Sequence, residues 1–534
     1  MLWVTGMLSQ TESKPKRFRL ERWQLLFLLF MVVCGSLLVF NLAYKSILWD
    51  ETPHLYGALL LSQGRLPEYL SVTFYPPLFD VITAGYFKIF SASLWAARLV
   101  SVTFGLLTLG VLFKLASKTY GRRVAFISCV IMATMPAFIW LSRLSFLEMA
   151  LEFFFLATLL LFIEWLHTGK DKIILLSGLV LGLAFLAKYQ ALVAGLIILV
   201  SLPILLYRSK FKAKLSRFPL FILAAGAIII PVLIAVFISG GLGQWINLLQ
   251  INDAQANVYS ARFPLPIFYL MEITFPGMQF VYPISICIFV LGALGLGLFV
   301  WRRKPEDKFF LIWFIVVYVF FTLIASRTWR YALPLFPVLA IAGASFVSTL
   351  FDKAEKQWKS VNSPVNKRRI AKFLATCLIA FTAGAVVYSA VEAEIWVAKE
   401  SVYLPLPEAV HYVANGLNAN DSLLVLCPIN NLNINVAKFY LAADESKNNT
   451  IGQYPTLPPD SYTPNFNVNE LAVLCQQKNV KYLLLDENTG YEYFNSTLTA
   501  QGVCDIVNAS GNFTYETTFG TAPYRVFIFQ TNPT

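Results

Sequence analysis

Eleven apolar runs, each of about the length that crosses a bilayer as a helix, fall along the first 390 residues. They lie at about 24–44, 96–116, 124–141, 146–166, 173–187, 190–207, 218–238, 279–301, 309–326, 332–350 and 370–390. In hydrocarbon every backbone N–H and C=O must be satisfied within the protein, so runs of this kind fold as a helical membrane bundle. Composition agrees: 57% of the 534 residues are apolar and 13% are charged, whereas a soluble chain keeps roughly a quarter of its residues charged. An ordinary soluble protein is excluded. The first run follows a basic stretch, but it is too long for a signal peptide and lacks a small-residue cleavage site, so it reads as a retained span.

The net charge of +12 is explained by where the basic residues sit. Lys14, Lys16, Arg17, Arg19 and Arg22 precede the first run, and Lys114, Lys118, Arg122 and Arg123 follow the second. Further clusters follow every second run: Lys170 and Lys172; Arg208 to Arg217; Arg302, Arg303, Lys304 and Lys308; and Lys353 to Lys372. These six clusters hold 27 of the 42 Lys and Arg. By the positive-inside rule they mark the cytoplasmic side, so the expectation is an integral plasma membrane protein with a cytoplasmic N-terminus and an extracytoplasmic C-terminus. The basic excess is thus orientation, and nucleic acid is not an expected partner.

One segment, Leu78 to Leu94, is apolar but interrupted by Asp80 and Lys88, and it reads as an amphipathic helix on the outer surface. The first outer loop then spans residues 45–95, and long loops of this kind usually carry function. Past residue 391 the composition changes: residues 392–534 carry six basic and fourteen acidic side chains. This is expected to be a soluble, extracytoplasmic α/β domain. Its pattern predicts helices at 407–417, 433–441 and 468–478, strands at 422–427 and 480–485, and β-rich segments around 504–508, 513–519 and 524–530. Sequons at Asn420, Asn448, Asn495, Asn508 and Asn512 fit an exterior domain, though a chain so rich in asparagine yields two or three by chance. Cys427, Cys475 and Cys504 are compatible with one disulfide and a free thiol or with three buried thiols.

Few charged residues fall in the outer loops of the bundle. Asp50 and Glu51 follow the first span directly, where neighbouring carboxylates near lipid raise one another's pKa and yield a general base. The same stretch, with Thr52 and Pro53 ahead of His54, also reads as a helix start capped by Asp50 or Thr52. Tyr75 precedes Pro76 and Pro77 in a rigid turn and is a candidate substrate contact. Arg143 sits at the mouth of the next pair of spans with Glu148 and Glu152, which share one helical face; an ion pair of Arg143 with Glu148 is the simplest structural role. Lys188 breaks the turn between the fifth and sixth runs, where a lone lysine also snorkels. Arg327 and Arg330, followed by Tyr331, are the basic pair of a later outer loop, and arginine's fork of donors suits a phosphate. No Walker loop, GxGxxG, HExxH or zinc spacing occurs, and the three histidines are far apart in sequence. An outer-face enzyme without nucleotide motifs must take its activated substrate from the lipid.

In these features the chain resembles the GT-C fold glycosyltransferases that use polyprenyl-phosphate sugars, and most of all the family 39-like branch of protein O-mannosyltransferases and the aminoarabinose transferase of lipid A. The resemblance rests on Asp50-Glu51 after the first span, Tyr75-Pro76-Pro77-Leu78-Phe79 entering a surface helix, and Ala97-Arg98-Leu99. It continues with Ser142-Arg143-Leu144-Ser145-Phe146-Leu147-Glu148, Leu186-Ala187-Lys188 and Trp329-Arg330-Tyr331 running to Pro337, covering roughly residues 20–350 in order.

The resemblance implies a polytopic all-α membrane protein of about eleven transmembrane helices, residues 1–391, joined to the α/β domain at 392–534. It implies an inverting single displacement from a polyprenyl- or dolichyl-phosphate sugar, drawn from the membrane lipid, to an acceptor protein, lipid or glycan. Asp50 would be the base or acceptor-orienting carboxylate, with Glu51 beside it and Glu148 as the second acidic position. Lys188, Arg330 and Arg327 would neutralise the leaving lipid phosphate, and His54, Tyr75, Arg98, Arg143 and Tyr331 are candidate substrate contacts. Glu148 departs from the aspartate more usual at its position, and Tyr75 from a common histidine. No cofactor is certain; some members hold a divalent cation at the acidic pair, so Asp50 and Glu51 are also a candidate metal site. Two other readings exist, a lipid-linked-sugar carrier or flippase and a non-catalytic receptor. The first lacks internal repeats and midplane charges, and the second leaves the outer carboxylates and arginines unexplained.

Overall fold

Among the described residues each of the eleven apolar runs is mainly helical, one of them as two helices. The computed structural model describes residues 22–532 apart from 73–74, 208–210, 239–262, 276–281, 325–326, 361–362, 400–401, 429–430, 444–446, 456–465 and 488–497. The first basic cluster up to Arg19, Arg208 and Lys210, and the sequon at Asn495 therefore lie outside the described residues. Among the described residues seven helices are long and apolar enough to cross a membrane, or eight if one bent pair counts as a single span. The other three fall short of that mark: Asp171–Ala187 and Ile286–Arg302 have 17 residues each, and Pro305–Leu323 opens on Glu306 and Asp307.

The bent pair is Arg122–Ala133 with Pro136–Ser142, which meet at 72°. Pro136 has no N–H to continue the ladder, and the groups freed at the break find partners elsewhere. The Ser389 hydroxyl donates to the Thr134 carbonyl at 2.7 Å, and the Ala137 N–H donates to Pro283 at 3.1 Å. Helices Leu147–Thr168 and Phe336–Lys359 are mostly buried, whereas Arg22–Val39 and Val365–Lys399 expose most of their apolar side chains, as a lipid-facing rim does. Close approach inside the bundle depends on small residues. A Cβ built on Gly295 would stand 2.1 Å from the Ala342 carbonyl, so Ile286–Arg302 and Phe336–Lys359 touch backbone to backbone there.

The last helix, Val365–Lys399, is 35 residues long, about 50 Å at 1.5 Å per residue, and runs past the expected domain boundary at 391. Near its end Trp396 is fully buried and stacks on Trp140 at 5.1 Å, with Trp329 edge-on at 5.6 Å. The sheet domain begins only after this helix.

Five strands form one sheet among the described residues: β1 Ser422–Leu426, β2 Ile451–Tyr454, β3 Val480–Asp486, β4 Phe513–Phe519 and β5 Val526–Thr531, in the order β2-β1-β3-β5-β4. β1 runs parallel to β2 and β3, while β5 is antiparallel to β3 and β4. Alternating side chains feed two cores. Leu424, Leu426, Leu483, Leu485 and Phe529 pack with Cys427, Cys475 and Cys504, which are buried and form no disulfide. Leu423, Val425, Leu484 and Ile528 join a second core that also holds Leu55, Ala58 and Leu59 of the first long loop.

Helices Leu406–Gly416, Ile434–Ala443 and Val468–Gln477 fall where the sequence predicts them. The segment 504–508 does not: it lies in a helix, Ala500–Ala509, started by Thr499, whose hydroxyl accepts from the Gly502 N–H at 3.1 Å. Val503, Cys504 and Val507 are the buried residues there, a helical spacing that a five-residue window reads as β. Strand β2 is missed in sequence because it is short and flanked by turn residues.

The loop before the second span folds as three helices, Thr52–Ser62, Leu66–Val72 and Leu78–Phe90. Leu78–Phe90 packs on Thr52–Ser62 and turns Val81, Ile89 and Phe90 outward. Asp80, read as a polar interruption, is instead fully buried against that neighbour. The loop is sewn to the sheet domain at Ser46: its N–H donates to the Val402 carbonyl at 3.0 Å, and its hydroxyl accepts from the Leu404 N–H at 2.7 Å.

Candidate active site

Four charged residues from four separate segments meet at one end of the bundle. Asp50 lies in a single 3-10 turn, Trp49–Glu51, Glu148 in the first turn of Leu147–Thr168, Lys188 at the extended break after Asp171–Ala187, and Arg330 in a 3-10 stretch, Trp329–Leu335. Arg330 approaches Asp50 at 2.7 Å and Glu148 at 3.7 Å, and Lys188 binds Glu148 at 2.9 Å. The chain of charges runs from open to enclosed: the Asp50 side chain is 47% exposed and that of Glu148 only 4%. Aromatic faces back the cations, with Phe146 5.6 Å from Arg330 and Tyr331 5.9 Å from Lys188.

Tyr75 borders the same group. Burial, with the Asp50 and Glu148 carboxylates nearby, pushes its phenol up to about 12, so it remains a neutral hydrogen-bonding group. His54 lies against the Tyr75 ring at 4.9 Å. Its Nδ1 is 2.8 Å from Asp80, and the Tyr69 hydroxyl donates to the other Asp80 oxygen at 3.1 Å. Asp80 thus fixes the orientation of the imidazole. Sequence reasoning missed it as a site residue, because its partner is 26 positions away and Leu78–Phe90 has an otherwise apolar buried face.

The neighbouring carboxylate, Glu51, turns away from Asp50. It is fully buried and accepts two bonds from Arg98, at 2.9 and 2.7 Å, as well as the N–H groups of Leu48 and Ser145. Burial alone would raise its pKa; the Arg98 guanidinium and the two backbone donors outweigh that and hold it below the usual carboxylate range. Arg98, itself 1% exposed, also donates to the carbonyls of Leu42, Lys45 and Ser46. Glu51 and Arg98 therefore lock the loop to the helix Leu94–Tyr120 and do not face the cluster.

The expectation of two carboxylates facing each other does not survive this divergence, since Asp50 turns to Arg330 and Glu51 to Arg98, and neither does capping. The helix Thr52–Ser62 has no side-chain cap, and the Thr52 hydroxyl donates to Trp49 instead. A divalent cation held between Asp50 and Glu51 would have to displace an arginine from each, so the pair as built does not fit a metal.

Arg143 does not pair with Glu148. Its guanidinium donates to the carbonyls of Leu37, Leu38 and Phe40 at 2.8–3.0 Å, closing the C-terminal end of the first helix. Arg327 donates to the Thr322 carbonyl at 3.0 Å and lies 5.9 Å from the Phe268 ring. Glu152, one turn below Glu148, is fully buried, and neither oxygen has a hydrogen-bond partner among the described residues.

Residues 75–237 match the family described as dolichyl-phosphate-mannose-protein mannosyltransferase. The undecaprenyl phosphate-alpha-4-amino-4-deoxy-L-arabinose arabinosyl transferase 2 of Proteus mirabilis is 25% identical over 371 residues, covering 66% of this chain and 65% of the relative. This chain therefore spans a little under two thirds of that relative's length. The fold is similar to ArnT from Cupriavidus metallidurans in its apo state, with a TM-score of 0.57 and 15% identity over 95% of this chain and 99% of the other. The same protein bound to undecaprenyl phosphate gives a TM-score of 0.54 with 16% identity, over the same shares of the two chains. By sequence the chain is similar to that arabinosyl transferase, and it shares the fold of ArnT.

Proposed function

We propose that the chain transfers a sugar from a polyprenyl- or dolichyl-phosphate donor to an acceptor on the outer face of the membrane, by inverting single displacement. The observation that carries this reading is the convergence of Asp50, Glu148, Lys188 and Arg330 from four distant segments. Breaking an anomeric C–O bond leaves a lipid phosphate dianion, and fixed cations in a partly dry site stabilise that charge as it develops. Lys188 and Arg330 are placed for this, and Glu148 holds both in position. Asp50, the most open of the four, would receive the acceptor hydroxyl and take its proton as the new bond forms. Relatives act on undecaprenyl-phosphate-linked aminoarabinose, and a structural neighbour binds undecaprenyl phosphate, which supports a lipid-phosphate donor here.

Orientation follows the charges. Lys118 pairs with Glu164, Arg123 with Asp352 at 2.5 Å and Arg302 with Asp307 at 2.5 Å, all near the loops that carry the basic clusters. The Asp50 cluster lies at the other end of the same helices. By the positive-inside rule this supports an outer position for the cluster and the sheet domain. The test is mass spectrometry of cell-surface glycans and lipids with and without the gene, then transfer by the purified chain from the donor so identified. Loss of one sugar from one acceptor, restored by the wild type and not by Asp50→Asn, is expected; an unchanged surface in the deleted strain would sink the reading.

A further inference from the structure

A cavity of about 210 Å³ opens where the first long loop meets the sheet domain, and none of the Asp50 cluster lines it. Tyr56 and Arg65 line it from the loop, and Lys438, Lys447, Asn448 and Thr450 from the domain. Residues 392–534 are acidic overall, yet two of their six basic residues converge here with Arg65. The one carboxylate among the described residues of the wall, Glu68, is already bound to Arg65. Arg65 also donates to Asn448 at 2.8 Å, and Lys447 donates to the carbonyls of Ala414 and Leu417, the latter at 2.9 Å.

Lys438 differs from its neighbours. It is half-buried, it makes no ion pair or hydrogen bond with the described residues, and its ammonium rests 5.4 Å from the Tyr56 ring. Burial and the nearby Arg65 guanidinium hold it below the usual lysine range. Glu68 acts on it only from within its own pair with Arg65; a charge so withdrawn from water is costly, and a ring face returns only part of that cost. Among the described residues the wall sums to three cations against one carboxylate, and a phosphate monoester brings close to two negative charges.

We propose that this cavity is a binding site for a phosphate group, with Lys438 as its free cation. The group is carried either by a lipid headgroup or by a soluble phosphate. Lysine serves as a point charge for phosphate where arginine's fork is already engaged, as that of Arg65 is here. The site is independent of the transfer chemistry, so it stands or falls without the Asp50 cluster.

The test uses the full chain in nanodiscs of phosphatidylcholine, titrated with inorganic phosphate against chloride of equal ionic strength, with thermal unfolding as readout. A parallel set of discs contains phosphatidic acid and no soluble phosphate. Phosphate-specific stabilisation of the wild type is expected in at least one arm, and the responding arm identifies the source. Lys438→Met should weaken the apparent affinity about tenfold, the effect of losing one charge-assisted contact, and Lys438→Arg should retain most of it. Lys478→Met, an exposed lysine of the same domain outside the cavity, should respond as the wild type does. In phosphate-free discs Lys438→Met should unfold no earlier than the wild type, because it removes an unpaired charge. No response in either arm, an undiminished response in Lys438→Met, or earlier unfolding of that variant without phosphate would overturn the proposal.

Discussion

The Arg330 guanidinium closes on the Asp50 carboxylate at 2.7 Å, joining the turn after the first helix to a 3-10 stretch that precedes the helix Phe336–Lys359. The pair is half open, so its value lies in holding two groups ready rather than in stabilising the fold.

From this, Asp50→Asn should remove transfer while leaving thermal unfolding within about 0.5 kcal/mol of the wild type, as surface substitutions do. Loss of a positioned base is worth about 10² to 10⁴ in rate. Turnover measured with the identified donor and acceptor checks it; near-normal turnover would take Asp50 out of the chemistry.

Arg330→Ala should weaken donor binding more than acceptor binding, since it removes a cation that also holds Glu148. Photo-crosslinking with a polyprenyl-phosphate analogue reads the first, and acceptor titration at saturating donor reads the second. Arg330→Lys keeps the charge but loses the fork between two carboxylates, and intermediate crosslinking is expected.

Glu51→Gln is a stability variant. It leaves Arg98 buried without its counter-charge, a change that costs about 3–5 kcal/mol where a buried pair is broken. The pH dependence follows from the depressed folded-state pKa of Glu51. Its contribution is complete above the ordinary value of 4.5 and is lost as the pH falls through the lower folded value. Acid should therefore lower the wild-type unfolding temperature below about pH 4.5 more than it lowers that of Glu51→Gln, by scanning fluorimetry across pH.

Glu152→Leu should raise the unfolding temperature. It replaces a buried carboxyl that has no partner among the described residues with an apolar group of similar size, a gain of about 1–3 kcal/mol. Calorimetry of the purified chain decides the sign, and a fall would show that Glu152 holds a structural contact.

Much of this architecture is written in the sequence because it depends on local regularities. Apolar runs set the helices, and charges left outside the basic clusters marked Asp50, Glu148, Lys188 and Arg330, which do converge. What was illegible depends on partners far along the chain. Arg98 and Glu51 are 47 positions apart, and either reads equally well as a substrate contact or as half of a buried pair. Arg143 has a carboxylate five residues away in Glu148, yet it spends its donors on the end of a helix more than 100 positions earlier. The short helix Ala500–Ala509 was misread because ten residues give few turns over which a helical period can declare itself.

The seam at Ser46 sets an order of events. Its partners Val402 and Leu404 follow it by more than 350 residues, and the core beneath the loop is shared with strands later still. The segment bearing Asp50 is thus made early and must wait for nearly the whole chain before it has a floor to rest on. Bundle helices can pair as they emerge, but the reactive corner closes only when the last strands arrive. A ribosome stalled near Lys399 would leave the first long loop without the strands that share its core.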